Sequence, residues 1–291
     1  MMWTRTFLGS IMLGKCIGFE KGKRVDLFYM WKKNKQESFV VDKTKSNEIP
    51  LEQANPITQN IIAKLSYPYQ IFSTSASYQE VMDAYEQAMQ QGQQQGFTPI
   101  LVPSDDVLEK YLGILEDDNY SLEDILKIEL ESGEELLKKY FEAYSEDIVD
   151  MDAFVGVFDD KPTVIDSFIA FQSFPSEKNI ETILFHVPTT KPWELVAYLA
   201  FGGWNDCPRV EEMMAICKYW FEKYGAIPVT ITHDVMEMRL PTPIAKQDSL
   251  QVAKEHFAFA PDRVYQNTET ETLAEVAACI AASKIWYFWW D

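Results

Sequence analysis

Apolar residues recur along this chain at two spacings, and the switches between them predict an order of strands and helices. Through residues 1–67 the apolar runs are short and broken by Gly and Lys/Asn clusters: RTFLGSIML, KCIGFEKG, RVDLFYMWKK and SFVVDK. Such runs predict antiparallel strands with charged edges, a small β-rich region ahead of the rest. NEIPLEQANP reads as a connector punctuated by Pro50 and Pro56. From Ala76 the spacing turns helical: Val81, Tyr85 and Met89 lie four apart, and Gly96 is placed to stop the helix. FTPILVP follows as a buried strand. Ser104 before a run of acids predicts a helix start, and Ser121 in SLED another, so two or three acidic helices are expected before residue 150. DAFVGVF and TVIDSFIAF, joined by DDKPT, read as two strands of a hairpin within residues 152–171.

Beyond residue 180 the signals sharpen. ETILFHVP reads as a strand, WELVAYLAF as a short helix and GGWNDCP as a Gly-containing turn. Val210, Met213, Met214, Cys217, Phe221 and Tyr224 keep helical spacing, with Pro208 suited to that helix's first turn and Gly225 to its end. IPVTITHDVMEMRLP predicts two strands about His233-Asp234, and AKQDSLQVAKEHFAF and TETLAEVAACIAAS predict helices. In the closing KIWYFWWD, Ile285, Tyr287 and Trp289 fall on one face of a strand and Trp286, Phe288 and Trp290 on the other. Both faces are apolar, which places this strand centrally in a sheet covered on both sides, its aromatics serving as core. The alternation of strands and helices gives an α/β fold with an α+β tendency, a mixed sheet flanked by helices.

Charge divides the chain in the same way. Residues 1–67 carry eleven Lys/Arg and six Asp/Glu, net +5; residues 68–291 carry fifteen and thirty-nine, net −24; together they make −19. The expected organisation is therefore a basic β-rich region, 1–67, and an acidic α/β domain, 68–291. Residues 105–150 alone hold sixteen acids and four bases, net −12. This balance argues against nucleic-acid binding, which needs cations to neutralise phosphates, and suits a basic protein partner. No run of eighteen apolar residues is present to span a membrane. The opening MMWTRTFLGSIMLGKC mimics a secretion signal, but Lys15 stands before Cys16 where a small residue is needed, and the stretch reads as a strand. Four cysteines with no CxxC pair fit a reducing cytoplasm.

GGWNDCP, KYGAIPV, AKEHFAFAPDRVYQ and WYFWWD, in this order and spacing, resemble a bacterial family known as domain of unknown function 4253. The resemblance covers the chain from about residue 180 and extends loosely upstream to GFTPILV. It brings no established activity and no cofactor. It implies that Trp204, Asn205, Asp206, Cys207, Glu255, His256, Asp262, Gln266 and Asp291 converge.

Read as chemistry, these residues allow few constellations. Metal binding would need two of His186, His233 and His256 with acids such as Asp234, but Glu255 and His256 are adjacent on a helix and diverge by about 100°, and HExxH is absent; no metal site is expected. The plain reading of His256 is a buried histidine bonded to Asp262 or Asp291. Cys207 ahead of a helix N-terminus could carry a lowered thiol pKa and pair with His256 or His233 as a nucleophile; the simpler reading is a helix cap with Asn205 and Asp206 as acceptors. Trp204 could anchor a ligand or plug the core. No P-loop, GxGxxG or GxSxG is present. The favoured expectation is a non-enzymatic, acidic protein-binding protein, of the kind that masks a basic partner as immunity proteins do. The competing one is a small-ligand binder or hydrolase-like enzyme with a pocket around Trp204, Cys207 and His256.

Overall fold

The computed structural model of the chain describes residues 47–117, 120–158, 161–173 and 178–291. The four strands expected within residues 1–43 lie outside these.

Asn55 opens the first helix, α1 (Pro56–Leu65): its side chain accepts from the Thr58 N–H, and Pro56 takes the first turn, where no N–H is missed. Strand β1 (Tyr69–Phe72) leads to α2 (Tyr78–Gln95), capped by a reciprocal Ser77–Glu80 box and closed by Gly96 at φ 81°. Strand β2 (Thr98–Pro103) is buried along its whole length. The acidic stretch forms α3 (Asp106–Tyr111), α4 (Leu122–Ile125), α5 (Gly133–Ser145) and α6 (Met151–Val155). A two-stranded ribbon, β3 (Gln172–Ser173) with β4 (Lys178–Asn179), precedes β5 (Thr182–Val187) and α7 (Leu195–Tyr198). Then come α8 (Val210–Tyr224), the hairpin β6 (Ile227–Ile231) and β7 (Val235–Arg239), the helices α9 (Lys246–Phe259), α10 (Asp262–Tyr265) and α11 (Leu273–Ala282), and β8 (Ile285–Trp289).

Six strands make one mixed sheet in the order β1-β5-β2-β6-β7-β8. Among the described residues, of its pairs only β2 and β6 are parallel, with Leu101 beside Thr230. The α/β expectation therefore holds. Ile100, Val102, Phe185, Met236, Trp286 and Phe288 face one layer of helices that includes α1, α5, α8, α9 and α11. Leu101, Leu184, Val229 and Ile285 face α2 and the segment around Phe168 and Phe171.

Four local expectations are corrected. The helix after β2 starts from Asp105, not Ser104: Asp105 Oδ1 accepts the N–H groups of Val107 and Leu108, while Ser104 Oγ is bonded to Asn55. No hairpin forms among the described residues 151–171. Asp150 caps α6 by accepting the Ala153 N–H, and Phe154 packs on Phe257. The stretch that follows gives its backbone N–H groups to side chains: Ile165 to Ser283, Phe168 to Tyr78, Ile169 and Ala170 to Glu237. Its apolar period comes from burying Phe168 and Phe171, not from strand pairing. Among the described residues strand β8 stands at the edge of the sheet, not at its centre. Its aromatics are buried on both faces because helices and the Phe168 segment cover the sheet there; two apolar faces report coverage, not place in the order. Finally, α8 is preceded by Arg209, whose N–H bonds Glu212, so Pro208 lies outside the first turn and neither Asn205 nor Asp206 caps it.

Candidate functional site

A parallel strand pair leaves both carboxyl ends, and the loops that follow them, at the same edge of a sheet, where ligands of open α/β sheets bind. Here β2 runs into Ser104-Asp105-Asp106 and β6 into Thr232-His233-Asp234. Between these loops lies a cleft of about 340 Å³, walled on its far side by Ile169, Ala170, Gln172 and Ser173 and floored in part by Tyr287.

The turn that presents His233 is tied from within. Thr232 Oγ1 accepts the Val235 N–H at 2.9 Å and donates to Asp234 Oδ1 at 2.9 Å. The end of β8 braces it: Trp289 Nε1 donates to Asp234 Oδ2 at 2.8 Å and the Trp290 N–H to the Asp234 carbonyl at 3.1 Å. Asp105 ties the two loops together. While Oδ1 caps α3, Oδ2 accepts the His233 backbone N–H at 2.9 Å and lies 2.6 Å from His233 Nδ1. On the other side of the ring, Nε2 is 3.5 Å from Asp234 Oδ2, beyond a full hydrogen bond. Burial alone would lower the imidazole pKa, but the bond from Asp105 and the charges of Asp234, Asp105 and Asp106 raise it above the ordinary histidine value. Asp105 is the complement: burial pushes it up, and its bonds to His233 outweigh that and hold it low. The arrangement is an oriented imidazole between two carboxylates, able to hold or give a proton at Nε2 toward the cleft.

The ten residues singled out from sequence do not share one place. Only His233 lines this cleft. Asn205, Asp262, Gln266 and Asp291 do meet, as a clasp on the C-terminus: Asn205, at φ 45°, donates to the Asp291 carbonyl, the Asp291 N–H donates to Asp262 at 3.0 Å, and Gln266 donates to Asp262 at 2.7 Å. Asp206 is exposed beside them. Trp204 is half-buried, tilted against Tyr111 and edge-on to Phe201, so it closes the core more than it offers a platform. Cys207 is buried, and burial drives its thiol pKa up rather than down, the reverse of an activated nucleophile. Glu255 is buried and accepts from Trp220 Nε1 at 2.9 Å and Tyr219 at 3.0 Å. Its neighbour His256 is fully buried among Trp220, Trp286 and Phe288, and neither ring nitrogen has a hydrogen-bond partner among the described residues. Burial and the Arg263 charge keep it neutral, and it bonds neither Asp262 nor Asp291 as expected.

Asp105 and Tyr287 were missed. The signal for Asp105 was present: an acid just past a buried strand, opposite a His-Asp turn at the end of another. Tyr287 was read only as one of several core aromatics. Among the described residues, no group of three or more His, Cys, Asp and Glu side chains is arranged to hold a metal ion, and no helix is long and apolar enough to cross a membrane.

Residues 183–291 match the family model described as Domain of unknown function (DUF4253), in agreement with the resemblance. The matched segment contributes Thr232, His233, Asp234, Val235 and Tyr287 to the cleft; the remaining wall, Asp105 included, lies upstream of it. No curated protein matches the chain, and no solved structure does.

Proposed function

We propose, for a chain whose residues 183–291 form a DUF4253 domain, that it binds a small polar ligand in the cleft at the carboxyl ends of β2 and β6. One observation carries this reading: His233 is held by Asp105 across the two loops and faces the cleft with Nε2 lacking a full hydrogen bond. Buried polar groups are ordinarily satisfied within the fold, and a proton-bearing nitrogen turned toward a cavity at this edge fits ligand recognition. The pocket imagined around Trp204, Cys207 and His256 has less support, because Cys207 and His256 are both buried in the core. A thermal-shift screen of metabolites against the wild type and His233→Ala tests the reading. Ligands whose stabilisation of the wild type is changed in either direction in the variant support it; ligands that stabilise both alike refute it.

A second reading keeps the acidic face as a docking surface for a basic protein. Its support is the −12 charge of residues 105–150, whose carboxylates stand on α3, α4, α5 and the loops between them and include exposed Glu123, Glu129, Glu131 and Glu135. Changing these four to Gln is expected to weaken capture of a basic partner and flatten its salt dependence; unchanged capture would end this reading. Cys207, Cys217 and Cys279 are free and buried, which suits a cytoplasmic location.

A further inference from the structure

The cleft has an electrostatic sign, and that sign selects among ligands. Asp105, Asp106 and Asp234 line it, and among the described residues no Lys or Arg does. Against three carboxylates stands one imidazole. The carboxylates are bonded, but an ionised carboxylate offers about four lone-pair sites, and Asp234 uses one on each oxygen, for Thr232 and Trp289. A second, independent feature points inward. Tyr287 is only 6 % exposed, lines the cleft, and is next to Glu237 in the β7–β8 register, yet its hydroxyl makes no hydrogen bond among the described residues. A phenol whose body is packed in the core and whose hydroxyl has no protein partner at the cleft surface is free to bond a ligand. Ile57, Ile169 and Ile180 supply an apolar wall. The stretch of −12 begins at the cleft's own rim, with Asp105, and such a field gathers cations.

We propose that the cleft takes a cationic group, a protonated amine or a guanidinium, on a short apolar stem. The charged head lies against Asp234 and the Tyr287 hydroxyl, and the stem lies on the isoleucine wall. This rests on the ligand-binding reading of the cleft and narrows it to one chemical class. It also sets the sign of a proton linkage. The groups facing His233 are Asp105 and Asp106 from the β2–α3 junction and Asp234 from its own turn. A cation beside this cluster competes with the proton on His233, so binding releases a proton and tightens as pH rises past the imidazole pKa. An anionic ligand would do the opposite.

The experiment is a set of titrations at constant ionic strength with butylammonium, butanol and butyrate, which share one stem, followed by calorimetry and by the ring signals of His233 in NMR. Agmatine and the peptide acetyl-Gly-Lys-Gly-amide extend the cation arm, and whichever binds more tightly says whether the cation is free or chain-borne. The expected result is saturable binding of the cations only, several-fold tighter at pH 8.5 than at pH 6. Tyr287→Phe should weaken it by about fivefold, the worth of one neutral hydrogen bond, and Asp234→Asn by about tenfold or more. If butanol or butyrate binds as well as butylammonium and with the same dependence on Tyr287, the cleft reading stands and the cationic assignment falls. If the cations bind but neither variant weakens them, they sit on the acidic surface and the assignment falls. If no ligand moves the His233 signals of the folded protein, both fall.

Discussion

At the scale of single residues, two carboxylates are held in opposite states by their surroundings. The contact between Asp105 and His233 holds the Asp105 pKa below the ordinary carboxylate value and the His233 pKa above the ordinary imidazole value. A histidine whose folded pKa is raised gives stability that is complete below the unfolded value near 6.5 and is lost as pH rises through the folded one. An aspartate whose folded pKa is lowered gives stability that is present above about 3.9 and lost in more acid solution. The pair therefore stabilises most between about pH 4 and 6.5. Asn caps a helix as well as Asp does, so Asp105→Asn isolates the charge from the α3 cap. It should lower the His233 pKa in an NMR titration and cost about 1.5–3 kcal/mol at pH 6, with a smaller loss at pH 9. Glu237 is the reverse case. It is fully buried, accepts the Ile169 N–H at 2.7 Å and the Ala170 N–H at 3.2 Å, and burial pushes its pKa up to about 7 despite those bonds. Because the folded state holds this proton more tightly, stability falls as pH rises from the unfolded carboxyl value toward 7. Urea unfolding at a series of pH values should show that fall in the wild type and a flatter profile in Glu237→Gln. Equal slopes in the two proteins would mean that Glu237 does not titrate in this range.

At the scale of elements, the acidic helices are fixed to the core by close packing as well as by charge. Gly133 begins α5 against α8, and a Cβ there would come within 2.4 Å of the Ala215 carbonyl oxygen. Gly133→Ala should therefore push α5 off α8 and cost about 1–3 kcal/mol, read by urea unfolding; a neutral result would show that α5 is loosely docked. The sequence was most legible where local chemistry decides. Helix α2 between Ser77 and Gly96, the hairpin around His233-Asp234 and the amphipathic α8 follow from caps, turn residues and period, and each is where it was expected. It misled where an apolar period had two explanations. TVIDSFIAF has the apolar content of a strand, yet the N–H groups of Phe168 and Ile169 find their acceptors in Tyr78 and Glu237, side chains far along the chain. The aromatic β8 read as central because burial was taken for sheet order. The candidate site was half legible. His233 and Asp234 stood out as a turn, whereas Asp105 joins them only because β2 and β6 run parallel, a pairing across 128 residues that no local pattern encodes.

At the scale of the whole molecule, one sheet edge gathers the features that core packing does not require. The parallel pair ends there, the acidic segment begins there, and β8 returns there to brace the His233 turn through Trp289. The segment that matches the DUF4253 model supplies the imidazole and the phenol, and the upstream residues supply Asp105 and the isoleucine of α1, so both parts of the chain build the cleft. The C-terminal clasp of Asn205, Asp262 and Asp291 lies at the end of the same strand β8 and secures the bracing residues. The most direct test of the cleft as the functional site is a crystallographic fragment screen of the full chain. The account predicts that bound fragments concentrate between the β2 and β6 loops, within hydrogen-bond distance of His233 Nε2 or the Tyr287 hydroxyl. Fragments that cluster at another surface while this cleft holds only water would contradict it.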